Sequence, residues 1–155
     1  TGLSSFNYDD EALDVKGYGK IRFDKLISQG SFKKVYIGLG INELGYDMDA
    51  VVTQFENLLA QISTNQPDAD IYILANIHVA KKRSVKDKIY NNARIDSLND
   101  ELRGLCDGNM VRYIDANALF DDEEGNLRAD YTGDNTHLYG KVYPIWSEYI
   151  YENSI

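Results

Sequence analysis

Three short apolar runs, rich in β-branched and aromatic residues, alternate with stretches whose apolar residues recur every three or four positions. That alternation constrains the fold more than any other feature of the chain. The runs are Lys34–Leu39, Ile71–Ile77 and Val111–Asp115. The first two are almost continuously apolar, as strands buried on both faces must be. Asn65-Gln66-Pro67-Asp68 breaks the chain ahead of the second run, and Asp107-Gly108-Asn109 ahead of the third.

Between them, Met48, Val51, Val52, Phe55, Leu58, Leu59 and Ile62 form one face of a helix, with Asp47 placed to cap its start. Ile95, Leu98, Leu102 and Leu105 form a second stripe, over a helix from about Asn92 to Leu105. A last helix is expected over Tyr143–Tyr151, with Pro144 in its first turn and Ile145, Trp146, Tyr149 and Ile150 as anchors. Strand, helix, strand, helix, strand, helix implies right-handed crossovers and a parallel sheet in one α/β domain over residues 1–155. Residues before Asp24 show no convincing buried strand, and Phe23–Ile27 reads as the close of a short helix.

Composition narrows the function. Acidic residues number 25 against 16 basic ones, a net charge of -9 that repels phosphate backbones and argues against nucleic acid as a partner. Lys81-Lys82-Arg83 is the local exception and reads first as a solvated loop after a strand. No apolar run approaches the roughly 20 residues of a membrane-spanning helix. No basic-then-apolar leader opens the chain at Thr1, so a soluble protein is expected, in the cytoplasm or secreted. The single cysteine, Cys106, excludes an internal disulfide and reads as a buried structural thiol. With two histidines and one cysteine, no metal site is expected, and no cofactor is called for.

In open α/β sheets, ligands gather beyond the carboxyl ends of the strands. Two segments fall there. Gly40-Ile41-Asn42-Glu43 follows the first strand, where an Asn amide can donate to a developing oxyanion. An Asx turn is the plainer reading of that segment alone. Glu43 is read as structural. Asp134-Asn135-Thr136-His137 precedes the last helix. An Asp three residues before a His can turn back onto Nδ1, fixing the tautomer and leaving Nε2 to take a proton. His78, after the second strand, could touch substrate or bond a neighbouring loop and is left outside the site.

In this order the two segments resemble the third and fifth blocks of the SGNH, or GDSL-type, ester hydrolases, and the resemblance runs from about residue 30 onward. It implies a flavodoxin-like three-layer α/β/α fold with a parallel sheet. It makes His137 the general base, Asp134 its orienting partner and Asn42 an oxyanion-hole donor. Gly2, in Thr1-Gly2-Leu3-Ser4, resembles the second-block glycine, whose backbone N–H is another donor. The family pattern has Asp where this chain has Glu43. No Gly-Asp-Ser, the family's nucleophile segment, occurs in the sequence. Ser4 and Ser5 are the only substitutes near the site, and serines there are more often turn residues.

The reading therefore sets the nucleophile upstream of Thr1. The family's first strands would then be absent and the edge of the Lys34–Leu39 strand exposed. An acylated carbohydrate, lipid or other small ester is the implied substrate. A binding domain that kept the fold and lost the nucleophile is the alternative, and a convergent phosphate-ester module a third reading, disfavoured by the acidity. The twelve tyrosines do not identify the substrate, and oligomeric state is open.

Overall fold

The structure is a computed structural model, and it describes residues 3–154. A small antiparallel hairpin, β1 (Leu13–Val15) and β2 (Gly19–Ile21), leads into α1 (Phe23–Gln29). Then come β3 (Lys34–Ile37), α2 (Met48–Asn65), β4 (Asp70–Leu74), α3 (Lys81–Ser84), α4 (Asn92–Gly104), β5 (Val111–Ile114), α5 (Asn117–Phe120) and α6 (Tyr143–Glu152). The three expected strands all form and run parallel in the order β3-β4-β5, with Ile37 beside Ile73 and Ile73 beside Tyr113.

The two faces of β4 explain the layering. Its side chains alternate, so Ile71 and Ile73 point to one face and Tyr72 and Leu74 to the other. Ile71 and Ile73 share a core with Val51, Phe55, Leu58, Leu59 and Ile62 of α2 and Ile95, Leu98 and Leu102 of α4. Each such side chain contributes about 1.5–3 kcal/mol of burial. On the opposite face, Tyr72, Leu74 and Ile114 meet Tyr149 and Ile150 of α6. The sheet therefore lies between helices, as the α/β/α reading expects. Asp47 caps α2 by accepting from Ala50 N at 3.1 Å, and Asn91 caps α4 by accepting from Arg94 N at 3.1 Å.

The hairpin has no counterpart in the sequence reading. Its strands are three residues each and largely exposed, so they carry none of the buried periodicity that marked the others. Among the described strands β3 pairs only with β4. Beside its other edge runs an apolar groove of about 250 Å3 lined by Val15, Ile21, Phe23, Val35 and Leu58 among others. Among the described residues, no helix is long and apolar enough to cross a membrane. Cys106, half-buried just beyond α4, has its thiol pushed up to about 11 by burial, with Asp107 adding to the shift.

Candidate active site

The site begins with how the loop after β4 is held. Residues 75–80 leave the sheet with their backbone groups turned inward, and such groups must find partners. Three buried asparagines supply them. Asn99 of α4 accepts from Asn76 N at 2.8 Å and donates to Asn76 O at 3.0 Å. Asn117 of α5 donates to the same carbonyl at 3.1 Å and accepts from His78 N at 2.8 Å. Asn92 accepts from Val79 N at 2.8 Å and donates to Val79 O at 3.0 Å. A side-chain amide carries both a donor and an acceptor, so each can bond both groups of an extended segment.

The Asp134–His137 loop is tied to this frame. Asn135 O accepts from Ala80 N at 3.0 Å, and Arg83 Nη1 donates to Thr136 Oγ1 at 2.8 Å. Within the loop, Asn135 sits at φ 67°, a left-handed conformation Asn tolerates better than most residues. At Gly133 the Tyr139 ring packs close, 2.9 Å from where a Cβ would lie. The turn brings Asp134 back on itself. Its Oδ1 accepts from the backbone N–H of Thr136 at 2.9 Å and of His137 at 2.8 Å, while Oδ2 meets His137 Nδ1 at 2.6 Å. The imidazole contact first, and then these backbone N–H groups, hold the Asp134 carboxyl well below the usual carboxylate range.

An ionised Asp134 fixes the proton of the imidazole on Nδ1 and leaves Nε2 as the acceptor. Among the described residues, Nε2 has no hydrogen-bond partner. The His137 side chain is 75% exposed and lines a groove of about 140 Å3 at the carboxyl end of the sheet, with Gly38, Ile41, Asn76, Tyr143 and Trp146. The arrangement can take a proton from a hydroxyl presented in that groove.

The remaining sequence-predicted residues fall as follows. Gly40 adopts φ 130°, and a Cβ there would lie 2.5 Å from Asn76 Nδ2, so this turn requires glycine. It places Ile41 on the groove. Asn42 is exposed, and its Nδ2 donates to Leu3 O at 2.8 Å. Glu43 is 1% exposed and accepts from Ser5 N, pinning the N-terminal loop to the turn after β3, in keeping with its structural reading. Ser4 Oγ donates to Asn7 Oδ1 at 3.0 Å in a local turn, and Ser5 Oγ is buried without a partner among the described residues. Gly2 lies outside the described residues.

Asn76 was not singled out from the sequence. It reads there as the tail of an apolar strand, and only the approach of Gly40 shows that it lines the groove. His78 has both ring nitrogens occupied, Nδ1 by Asp121 Oδ2 at 2.8 Å and Nε2 by Asp96 Oδ1 at 2.9 Å. Burial pushes its pKa down, but the two carboxylates outweigh burial and raise it above the ordinary value. It ties loops together and, with both nitrogens engaged, is no second base. Among the described residues, no three His, Cys, Asp or Glu side chains converge as a metal-ligand set.

The parallel sheet with helices on both faces is similar to that of SGNH-type hydrolase structures. Residues 7–143 match the GDSL-like lipase/acylhydrolase family, and the chain belongs to that family. Solved structures agree on the fold. A Streptococcus pneumonia protein described as a platelet activating factor aligns with a TM-score of 0.71 at 20% identity, covering 79% of this chain and 60% of its own. A Bacteroides fragilis protein described as an acylhydrolase aligns with a TM-score of 0.62 at 18% identity, covering 77% and 60%. A carbohydrate acetylesterase from Sinorhizobium meliloti aligns with a TM-score of 0.53 at 14% identity, covering 91% and 73%. The chain thus spans about 60% of the length of the first two. No curated protein sequence matches it.

Proposed function

We propose that this chain supplies the base, its orienter and part of the oxyanion hole of a serine ester hydrolase, an acyl or acetyl esterase working through an acyl-enzyme. The 2.6 Å contact between Asp134 Oδ2 and His137 Nδ1, with Nε2 on a groove and unpartnered among the described residues, carries the reading. A serine hydroxyl presented there gives its proton to Nε2 as its oxygen attacks the ester carbonyl. The tetrahedral oxyanion is met by Asn42 Nδ2, which must exchange Leu3 O for substrate, and by the Gly2 N–H. His137 then protonates the leaving alcohol, and water hydrolyses the acyl-enzyme through the same base. The substrate is a small ester, or an acylated carbohydrate or lipid.

The nucleophile in this reading stands on a strand from sequence preceding Thr1. The open edge of β3 and the apolar groove beside it suit such a strand. Ser4 and Ser5 are a poor alternative, since Ser4 Oγ is bonded to Asn7 and Ser5 is buried among the residues around Glu43. The same facts favour the second reading, a binding domain without a nucleophile, for the chain taken alone.

A fluorophosphonate probe distinguishes the two. The full-length protein is expected to be labelled at one serine outside residues 1–155, and labelling should fall sharply in His137→Ala. Absence of labelling in the full-length protein favours the binding domain. Labelling indifferent to His137 contradicts the assigned base.

A further inference from the structure

Resting on the esterase reading, we infer that the basic rim formed by Lys82, Arg83, Lys86 and Lys88 beside Asp134 selects ester substrates that carry a second, anionic group, a carboxylate or a phosphate.

Five of the chain's 16 Lys and Arg residues fall within residues 81–88 of a protein whose net charge is -9. They do not scatter over the surface. Lys81 is taken up by an ion pair with Glu124. The other four line an open depression of about 550 Å3 whose far wall is Asp134 and Asn135, the start of the catalytic loop. The depression meets the loop at Asp134 and Asn135, and the groove meets it at Thr136 and His137, so the two adjoin along one loop.

Arg83 is the fixed member. It bonds Thr136, pairs with Asp87 at 3.3 Å and lies over the Tyr90 ring at 4.8 Å, and its Nε is buried without a partner among the described residues. Lys82, Lys86 and Lys88 are exposed and make no ion pair among the described residues. Unpaired like charges held together raise each other's energy, and an anion placed among them relieves it. Asp87 is already paired with Arg83, which leaves Lys82, Lys86 and Lys88 facing the single carboxylate charge of Asp134. The bonds from Ala80 to Asn135 and from Arg83 to Thr136 fix the rim relative to the base. A substrate that reaches from the His137 groove across this loop sets its anionic group among the lysines.

Binding of uncleavable analogues tests this apart from catalysis. The full chain is titrated with 4-acetamidobenzoate, 4-acetamidophenyl phosphate and neutral 4-acetamidobenzamide, followed by amide chemical shifts. At least one anion should bind about 10-fold more tightly than the neutral amide, the advantage shrinking with added salt. The tighter of the two anions names the class of substrate. In K82Q/K86Q/K88Q the preference should vanish. Equal affinity for all three probes, no binding of any, or a preference that persists in the triple variant overturns the inference. If 4-acetoxybenzamide is not hydrolysed by the full-length protein, the esterase reading falls, whatever the binding preference.

Discussion

Asn99→Ala removes a side chain that holds both backbone groups of Asn76 in the loop after β4. Asn99 is 4% exposed. Truncation strips Asn76 N–H of its 2.8 Å acceptor, while Asn76 O keeps the Asn117 amide at 3.1 Å. Two buried Asn76 donors lose this acceptor, the backbone N–H and, at 3.3 Å, Nδ2, at about 1–3 kcal/mol for each left unsatisfied, and a small void adds to that. The expected loss is about 3 kcal/mol, or about 6–12 °C in Tm for a chain of this size. Urea unfolding followed by circular dichroism measures it, with Asn65→Ala as comparator. Asn65 is exposed at the end of α2 and bonds only Gln61 O, so its loss should stay within about 0.5 kcal/mol. Equal midpoints for the two variants would refute the claim that buried asparagines hold this loop.

Gly40→Ala should cost about 1–3 kcal/mol from the backbone alone, with further loss from overlap with Asn76, and should shift the Asn76 side-chain amide resonances. His78 is raised in the folded state above its ordinary value of 6.5 by Asp121 and Asp96. Its stabilisation is complete below that value and is lost as pH rises through the folded pKa, so the urea midpoint should fall with rising pH there and flatten in His78→Gln. Cys106, with its thiol near 11, should alkylate slowly with iodoacetamide at pH 8 and speed up steeply as pH approaches that value.

The layers of the fold were legible because β4, α2 and α4 are built on buried residues at strand and helix spacing, and β3 and β5 are short apolar runs, both of which sequence displays directly. Strand ends were read too long: Gly38, Leu39 and Ala75–Ile77 have already left the sheet, and Gly38, Ala75, Asn76 and Ile77 line the crevice. The exposed hairpin gave no such signal. At the site, Asp134 and His137 were readable because their contact is local, three residues apart. The roles of Asn76, Asn92, Asn99 and Asn117 depend on long-range bonds to backbone, and no spacing rule marks an asparagine that will meet a loop from another element. Glu43 looked like a departure from a motif, whereas its burial against Ser5 gives it a holding role.

The central claim is that His137, oriented by Asp134, is the base of ester hydrolysis. Hydrolysis of p-nitrophenyl acetate by the full-length protein and by its His137→Ala variant tests it most directly. The account predicts a fall in kcat of about 1,000-fold or more, with an unchanged circular dichroism spectrum. An unaltered kcat in the variant would contradict it.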